Sequence, residues 1–235
     1  MNPTAIRAMI LAAGRGERMR PLTDHCPKPL LKAGERSLIE WHLENLTAAG
    51  FVDIVINHAH LGAQIERALG DGSRWGLRIR YSPESQALET AGGIRQALPL
   101  LGHEAFVVIN GDIFTDFDMR RARDAALQLQ DRPIKAWCVL VDNPVHHPDG
   151  DFSLVNGRLV DGGSAPLTFS GIGAYQATLF NSIEPGQAAR LAPLIRQAIR
   201  EGTAMGEHFR GRWVDVGTPA RLAELDAQLR SSATE

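Results

Sequence analysis

The sequence predicts an α/β fold: a mainly parallel, mixed sheet flanked by helices, with a small antiparallel insert. Two observations carry this prediction. Strand-like apolar runs alternate with segments of helical period through the first two thirds of the chain, the pattern of right-handed βαβ units. After Asn143-Pro144 the texture changes to short alternating pieces separated by Asn156-Gly157 and Gly162-Gly163, and Asn-Gly between such pieces is the strongest short hairpin signal. A length of 235 residues suits one such unit. One domain is therefore expected over 1–235, in two parts, 1–142 and 143–235, that meet where the texture changes.

Taken in order, apolar runs predict strands at 6–12, 52–57, 77–81, 105–110 and 134–141. Between the first two, 37–49 places Leu38, Trp41, Leu43, Leu46 and Ala49 on a stripe that can cover the sheet, and Gly50 follows where a C-terminal glycine belongs. A second covering helix is expected over 119–130. The pieces 151–155, 158–161 and 167–175 are expected to form the antiparallel insert, walling one side of a cleft. Helices over 187–200 and 219–230 close the chain, the second with Thr218 as N-cap and Pro219 at N1.

The first strand empties into Gly14-Arg15-Gly16-Glu17-Arg18-Met19-Arg20-Pro21-Leu22-Thr23, and Pro27-Lys28-Pro29 follows. Glycines after a buried strand let backbone N–H groups approach an anion, and Arg15, Arg18, Arg20 and Lys28 add positive charge. The loop is neither a dinucleotide fingerprint, which needs a third glycine three residues after Gly16, nor a P-loop, which needs Gly-Lys-Ser/Thr. Pro27 and Pro29 should hold Lys28 in an extended segment.

This segment resembles the signature of the sugar-1-phosphate nucleotidyltransferases: an apolar strand, G-x-G-x-R-[LM]-x-P-L-T, then P-K-P. The resemblance continues in Asn110-Gly111-Asp112 and in Trp213-Val214-Asp215-Val216-Gly217-Thr218-Pro219. Within the family the chain is most similar to the short bacterial N-acetylmuramate-1-phosphate uridylyltransferases, through Val55-Ile56-Asn57-His58, Leu88-Glu89-Thr90, Val141-Asp142-Asn143-Pro144, Gly150-Asp151-Phe152 and Gly206-Glu207-His208. The resemblance implies a Rossmann-like fold of the nucleotide-diphospho-sugar transferase type. It also implies transfer of a uridylyl group from UTP to N-acetylmuramate 1-phosphate, with Mg²⁺, in peptidoglycan recycling.

Site residues follow from the same resemblance. Asp112 and Asp215 each end a strand-like run, and their hard carboxylate oxygens suit Mg²⁺. Arg18, Lys28 and Asp112 are the expected catalytic groups: the sugar phosphate is already ionised at neutral pH, so positioning and electrostatics should suffice without a general base. Nucleotide recognition is expected from Ala12, Ala13, Gly14, Gly16, Glu17, Arg18, Lys28, Ser85, Gln86, Thr90 and Gly92, with Gly92 and Gly93 allowing close packing at a helix start. Glu17 stands where the wider family has threonine or serine; its carboxylate is expected to orient an arginine or a hydrated metal. The sugar phosphate is expected against Asn110, Asp112, Asp151, Ser170 and Gly171. The family's Glu-Lys-Pro element is missing here, which leaves open the cation that grips the sugar phosphate, Arg158 or Mg²⁺ alone; the lactyl carboxylate of muramate calls for a non-acidic wall beyond Asp151, which Arg158, His146 or His147 could provide.

Composition narrows the partners. A formal charge of −2 gives no general field for nucleic acid or anionic lipid, so neither is expected as a partner. No apolar run approaches 18 residues and no apolar signal segment opens the sequence, so a cytoplasmic protein, monomer or homodimer, is expected. In that reduced compartment Cys26 and Cys138 should be free thiols, and no histidine is spaced to activate Cys26. His58, His60, His146, His147 and His208 lack zinc-ligand spacing. Two other readings stay open: another nucleotidyltransferase using glucose, mannose or heptose 1-phosphate with dTTP, GTP or CTP, and a non-catalytic nucleotide-sugar sensor.

Overall fold

A computed structural model describes residues 6–232. The elements run β1 (Ala8–Leu11), β2 (Lys32–Ala33), β3 (Arg36–Ser37), α1 (Leu38–Ala48), β4 (Asp53–His58), α2 (Gly62–Leu69), β5 (Arg78–Pro83), α3 (Glu89–Leu101), β6 (Phe106–Asn110) and β7 (Ile113–Thr115). They continue with α4 (Met119–Gln130), β8 (Ala136–Val141), β9 (Ser153–Val155), β10 (Arg158–Val160), β11 (Thr168–Tyr175), α5 (Leu191–Arg200), β12 (Ala204–His208), β13 (Trp213–Asp215) and α6 (Pro219–Ser232).

Nine strands form one mixed sheet in the order β5-β4-β1-β6-β11-β8-β12-β10-β9. The first four are mutually parallel, as the βαβ pattern requires. Strand residues alternate between two cores: Ile10, Ile54, Ile56, Val107 and Ile109 face α1 and α4, whereas Met9, Val55, Phe106 and Val108 face α3 and α5. A third cluster joins Met19, Leu31 and Leu38 to Phe114, Val216, Leu222 and Leu225, fastening the glycine loop to α6.

The three pieces after Asn143-Pro144 separate. β9 and β10 make the expected hairpin at the sheet edge, but β11 enters the middle of the sheet, antiparallel to both β6 and β8. Its run is buried on both faces, which only an interior strand can satisfy.

Helix ends follow their local chemistry. Ser37 and Glu40 close a capping box at α1, and Thr218 Oγ1 accepts from Arg221 N at 3.4 Å at the start of α6. α5 begins at Leu191, four residues later than its sequence pattern predicts. The preceding stretch is drawn off to α3 instead: Ala189 N donates to Leu88 O, and Ala189 O accepts from Ala91 N and Gly92 N. Those two N–H groups belong to the first turn of α3, where no intrahelical partner exists. Gly92 makes this contact possible, because a Cβ there would lie 2.3 Å from Gln187 O. α3 itself carries Gly92, Gly93 and Pro99, which mask a helix whose Ala91, Ile94, Ala97 and Leu101 pack into the second core.

Candidate active site

The cleft opens at the carboxyl ends of β1, β4 and β6, the general ligand position of open parallel sheets. Leu11 is in register with Asn57 on one side and Asn110 on the other. Asn57 is buried and organises its side of the cleft: its Oδ1 accepts from Ala12 N at 2.9 Å, and its Nδ2 donates to Glu84 Oε1 at 2.6 Å. Glu84 Oε2 accepts in turn from Leu88 N at 2.9 Å. This chain ties the root of the glycine loop to the loop before α3, and Ala12, Ala13, Gly14, Lys28, Thr90, Asn110 and Asp112 line the cavity between them.

From Gly16, at φ +69°, the chain coils through three single turns of 3-10 helix, Glu17–Met19, Leu22–Asp24 and Lys28–Leu30. Lys28 therefore opens a turn instead of lying in an extended segment; only Pro27 is extended, at φ −64° and ψ 140°. The turn is closed by Leu30 N on Pro27 O and Leu31 N on Lys28 O, and it aims the lysine inward. Lys28 Nζ lies 2.7 Å from Asp112 Oδ2. Gly14, Gly16, Glu17, Arg18 and Lys28 line a depression beside this pair. Arg18 is exposed there and has no ion pair among the described residues, while the Glu17 carboxylate lies 3.8 Å from Arg15 and 3.6 Å from Arg20.

Asp215 reaches the same cleft through pairing that no local pattern reveals. β13 is antiparallel to β7, Asp215 opposes Ile113, and Val216 N donates to Asp112 O at 2.9 Å. Arg18, Asn110, Asp112, Ser170, His146 and Asp215 line this part of the cleft. Asp215 Oδ2 accepts from Arg221 Nη1 at 2.6 Å and faces His146 Nε2 at 3.2 Å. Asp112, in the turn between β6 and β7, and Asp215, at the end of β13, both line this part of the cleft, and carboxylate oxygens are donors of the hard kind that fits Mg²⁺.

Asp151 lies on the far wall, its Oδ2 accepting from Phe169 N at 2.8 Å and its Oδ1 3.3 Å from His147 Nε2. Ser170 lines the cleft but is buried; its carbonyl accepts from Trp213 Nε1 and its Oγ from Ile172 N. Gly171, at φ +83°, leaves room for Asn110, whose Nδ2 would be 2.6 Å from a Cβ there. Five sequence candidates stand outside the cavities, Gly171 among them. Ser85 and Gln86 are exposed on their loop, Gly92 faces the 187–189 stretch, and Arg158 on β10 donates to Gly202 O. Residues that sequence reasoning left without a role here are Asn57 and Arg221; the strand-end position of Asn57, matching that of Asn110, is the signal that could have found it. Burial raises the Cys26 thiol pKa, and Cys138 is pushed up to about 12 beside Tyr175, so neither is an activated nucleophile.

The nucleotidyl transferase family profile matches residues 7–148, more than half of the chain. The chain belongs to that family. It is 55% identical over 227 residues to the N-acetylmuramate alpha-1-phosphate uridylyltransferase of Neisseria meningitidis serogroup B, covering 94% of this chain and 97% of the relative. The protein of the same description from Caulobacter vibrioides is 34% identical over 233 residues, covering 94% and 96%. A crystal structure described as a putative glucose-1-phosphate thymidylyltransferase from Bacillus anthracis, in complex with a sucrose, superposes with a TM-score of 0.85 over 96% of each chain; at 22% identity it shows the shared fold. The chain is thus an enzyme of the nucleotidyltransferase class with the nucleotide-diphospho-sugar transferase fold. No helix among its described residues is long and apolar enough to cross a membrane.

Proposed function

We propose that this nucleotidyltransferase transfers a uridylyl group from UTP to N-acetyl-α-D-muramate 1-phosphate, giving UDP-N-acetylmuramate and pyrophosphate, in peptidoglycan recycling. The observation that carries the proposal is the 55% identity to the meningococcal uridylyltransferase along nearly the full length of both chains. The juxtaposition of Lys28, Asp112 and Asp215 in one cleft supports it.

An oxygen of the sugar phosphate attacks the α-phosphorus of UTP, the bond from that phosphorus to the bridging oxygen breaks, and pyrophosphate leaves. The attacking oxygen already carries charge, so no residue has to remove a proton. Lys28 meets the α-phosphate and Arg18 the β- and γ-phosphates, neutralising charge as it develops. The Asn57–Glu84 network holds the 12–14 backbone against the nucleotide, and Asn110 and Asp151 orient the sugar phosphate. Asp112 and Asp215 are the residues that would hold Mg²⁺, which when bound would supply Lewis-acid polarisation of phosphate oxygens. Arg221 and His146 grip the outer oxygen of Asp215 and keep its carboxylate turned to the cleft.

The test is pyrophosphate release from UTP, dTTP, GTP and CTP, each paired with N-acetylmuramate, N-acetylglucosamine, glucose and mannose 1-phosphates, with and without Mg²⁺. The proposal expects turnover to be highest for UTP with N-acetylmuramate 1-phosphate and to vanish in chelator. Equal or better turnover with another pair overturns it, and nucleotide binding without turnover in any pair marks a sensor.

A further inference from the structure

A second cavity adjoins the nucleotide cavity and shares Glu89, Thr90 and Asn110 with it. Its floor is apolar, formed by Phe152, Phe169, Leu191 and Ile195. Its polar rim holds two carboxylates, Asp151 and Glu89, and one cation, Arg190. Asp151 is engaged by Phe169 N and His147. Arg190 stands immediately before α5, its side chain 80% exposed, and its Nε is 3.9 Å from Glu89 Oε1. A pair that long and that exposed is weak and easily exchanged. Glu89 is itself held at φ +60°, a left-handed conformation uncommon for any residue but glycine.

We infer that Arg190 binds the acceptor's carboxylate and thereby selects a sugar phosphate that carries one. This rests on the acceptor proposed above. The lactyl ether of muramate presents a methyl group and a carboxylate on one short arm, and this cavity offers an apolar floor beneath a single guanidinium. Without Arg190 the rim would hold only Asp151 and Glu89, and a third carboxylate would be repelled. An N-acetylhexosamine lacking the arm leaves the guanidinium on Glu89. Arg158, the arginine named from sequence for this wall, is on β10, next to the edge strand, and lines neither cavity.

The test compares N-acetylmuramate 1-phosphate with N-acetylglucosamine 1-phosphate at saturating UTP, in wild type and in Arg190→Ala, Arg190→Glu and Arg190→Lys. Losing a charge-assisted hydrogen bond should lower kcat/KM for the muramate substrate by roughly 10- to 100-fold in the alanine and glutamate variants. The slower reaction of the glucosamine substrate and the KM for UTP should stay unchanged, and lysine should restore most of the preference. Calorimetric titration with UDP-N-acetylmuramate and UDP-N-acetylglucosamine reads the same contrast without turnover. Equal losses for both acceptors, or a wild-type preference that survives Arg190→Ala, overturns the role of Arg190 alone. A wild-type enzyme indifferent to the lactyl arm in both measurements overturns the proposed acceptor, and this role with it.

Discussion

Lys28 Nζ lies 2.7 Å from Asp112 Oδ2, an ion pair between residues 84 positions apart that leaves the lysine only 8% exposed. Before nucleotide arrives, the carboxylate balances a buried charge that would otherwise be costly. In the proposed reaction a triphosphate would take over that balance and leave the Asp112 carboxylate free to hold the metal. Lys28→Ala should lower kcat by roughly 10²- to 10³-fold, the size of one lost transition-state donor. Lys28→Arg should restore little, because a planar fork does not replace a compact ammonium in so enclosed a place. Steady-state kinetics in UTP check this; a change in KM alone would make Lys28 a uniform binder.

Asp112→Asn and Asp215→Asn should each lower turnover by about 10²-fold or more, since a metal's polarising effect is worth several kcal/mol. The readouts are kcat against Mg²⁺ concentration and thermal unfolding of each variant. Near-normal turnover at low Mg²⁺ in both would remove the pair as metal ligands.

Asn57→Ala leaves Ala12 N and one Glu84 oxygen buried without partners. The cost should be about 2 to 6 kcal/mol, from one to three for each of the two orphaned groups. Because the same bonds hold the 12–14 backbone, KM for UTP should rise as well. Urea unfolding should show a lower midpoint with an unchanged slope, separating lost stability from an altered unfolded state.

Gly92→Ala places a Cβ 2.3 Å from Gln187 O, a backbone atom with no freedom to yield while Ala189 bridges to α3. Overpacking of this kind costs about 1 to 3 kcal/mol. A lowered melting temperature with kcat nearly intact would place Gly92 in the scaffold; an isolated rise in KM for UTP would return it to the nucleotide.

His42 supplies a pH dependence of stability. It is buried in α1, neither ring nitrogen meets a hydrogen-bond partner among the described residues, and burial lowers its pKa to about 4, against the weaker opposing effects of Asp112 and the Ile113 backbone. The unfolded chain, with a histidine pKa near 6.5, binds the proton more readily than the fold does. Stability from neutral His42 is therefore complete above about pH 6.5 and declines as pH falls toward 4, by about 3 kcal/mol in all. Urea midpoints between pH 7 and pH 4.5 should fall in wild type, and the part of that fall due to this residue should vanish in His42→Leu.

Much of the nucleotide side was legible because its signals are local. Apolar runs, Gly14 and Gly16, and Lys28 between two prolines sit within one stretch, and the structure places most of that stretch around one cavity. Gly92 misled for a local reason: the close packing that a glycine allows at a helix start is expected to serve the nucleotide, but here it admits the 187–189 backbone, whose Ala189 carbonyl accepts the Gly92 N–H. β11 misled in the same way, since turn residues around 167–175 point to a hairpin while its two-sided burial demands the sheet interior.

The sequence by itself determined the α/β class, the parallel half-sheet, the nucleotidyltransferase family and the two aspartates, because periodicity and short motifs depend only on neighbouring residues. Tertiary structure alone decided the rest. Pairing of β7 with β13 brings Asp215 to the Asp112 side of the cleft, and the insertion of β11 between β6 and β8 builds one wall of that cleft. Arg190 reaches that wall because the stretch before α5 bonds to α3, and Arg221 meets Asp215 and His146 in the cleft. These contacts join residues remote in the chain, and their partners are chosen by burial and backbone hydrogen bonding across the whole sheet, which no local window contains.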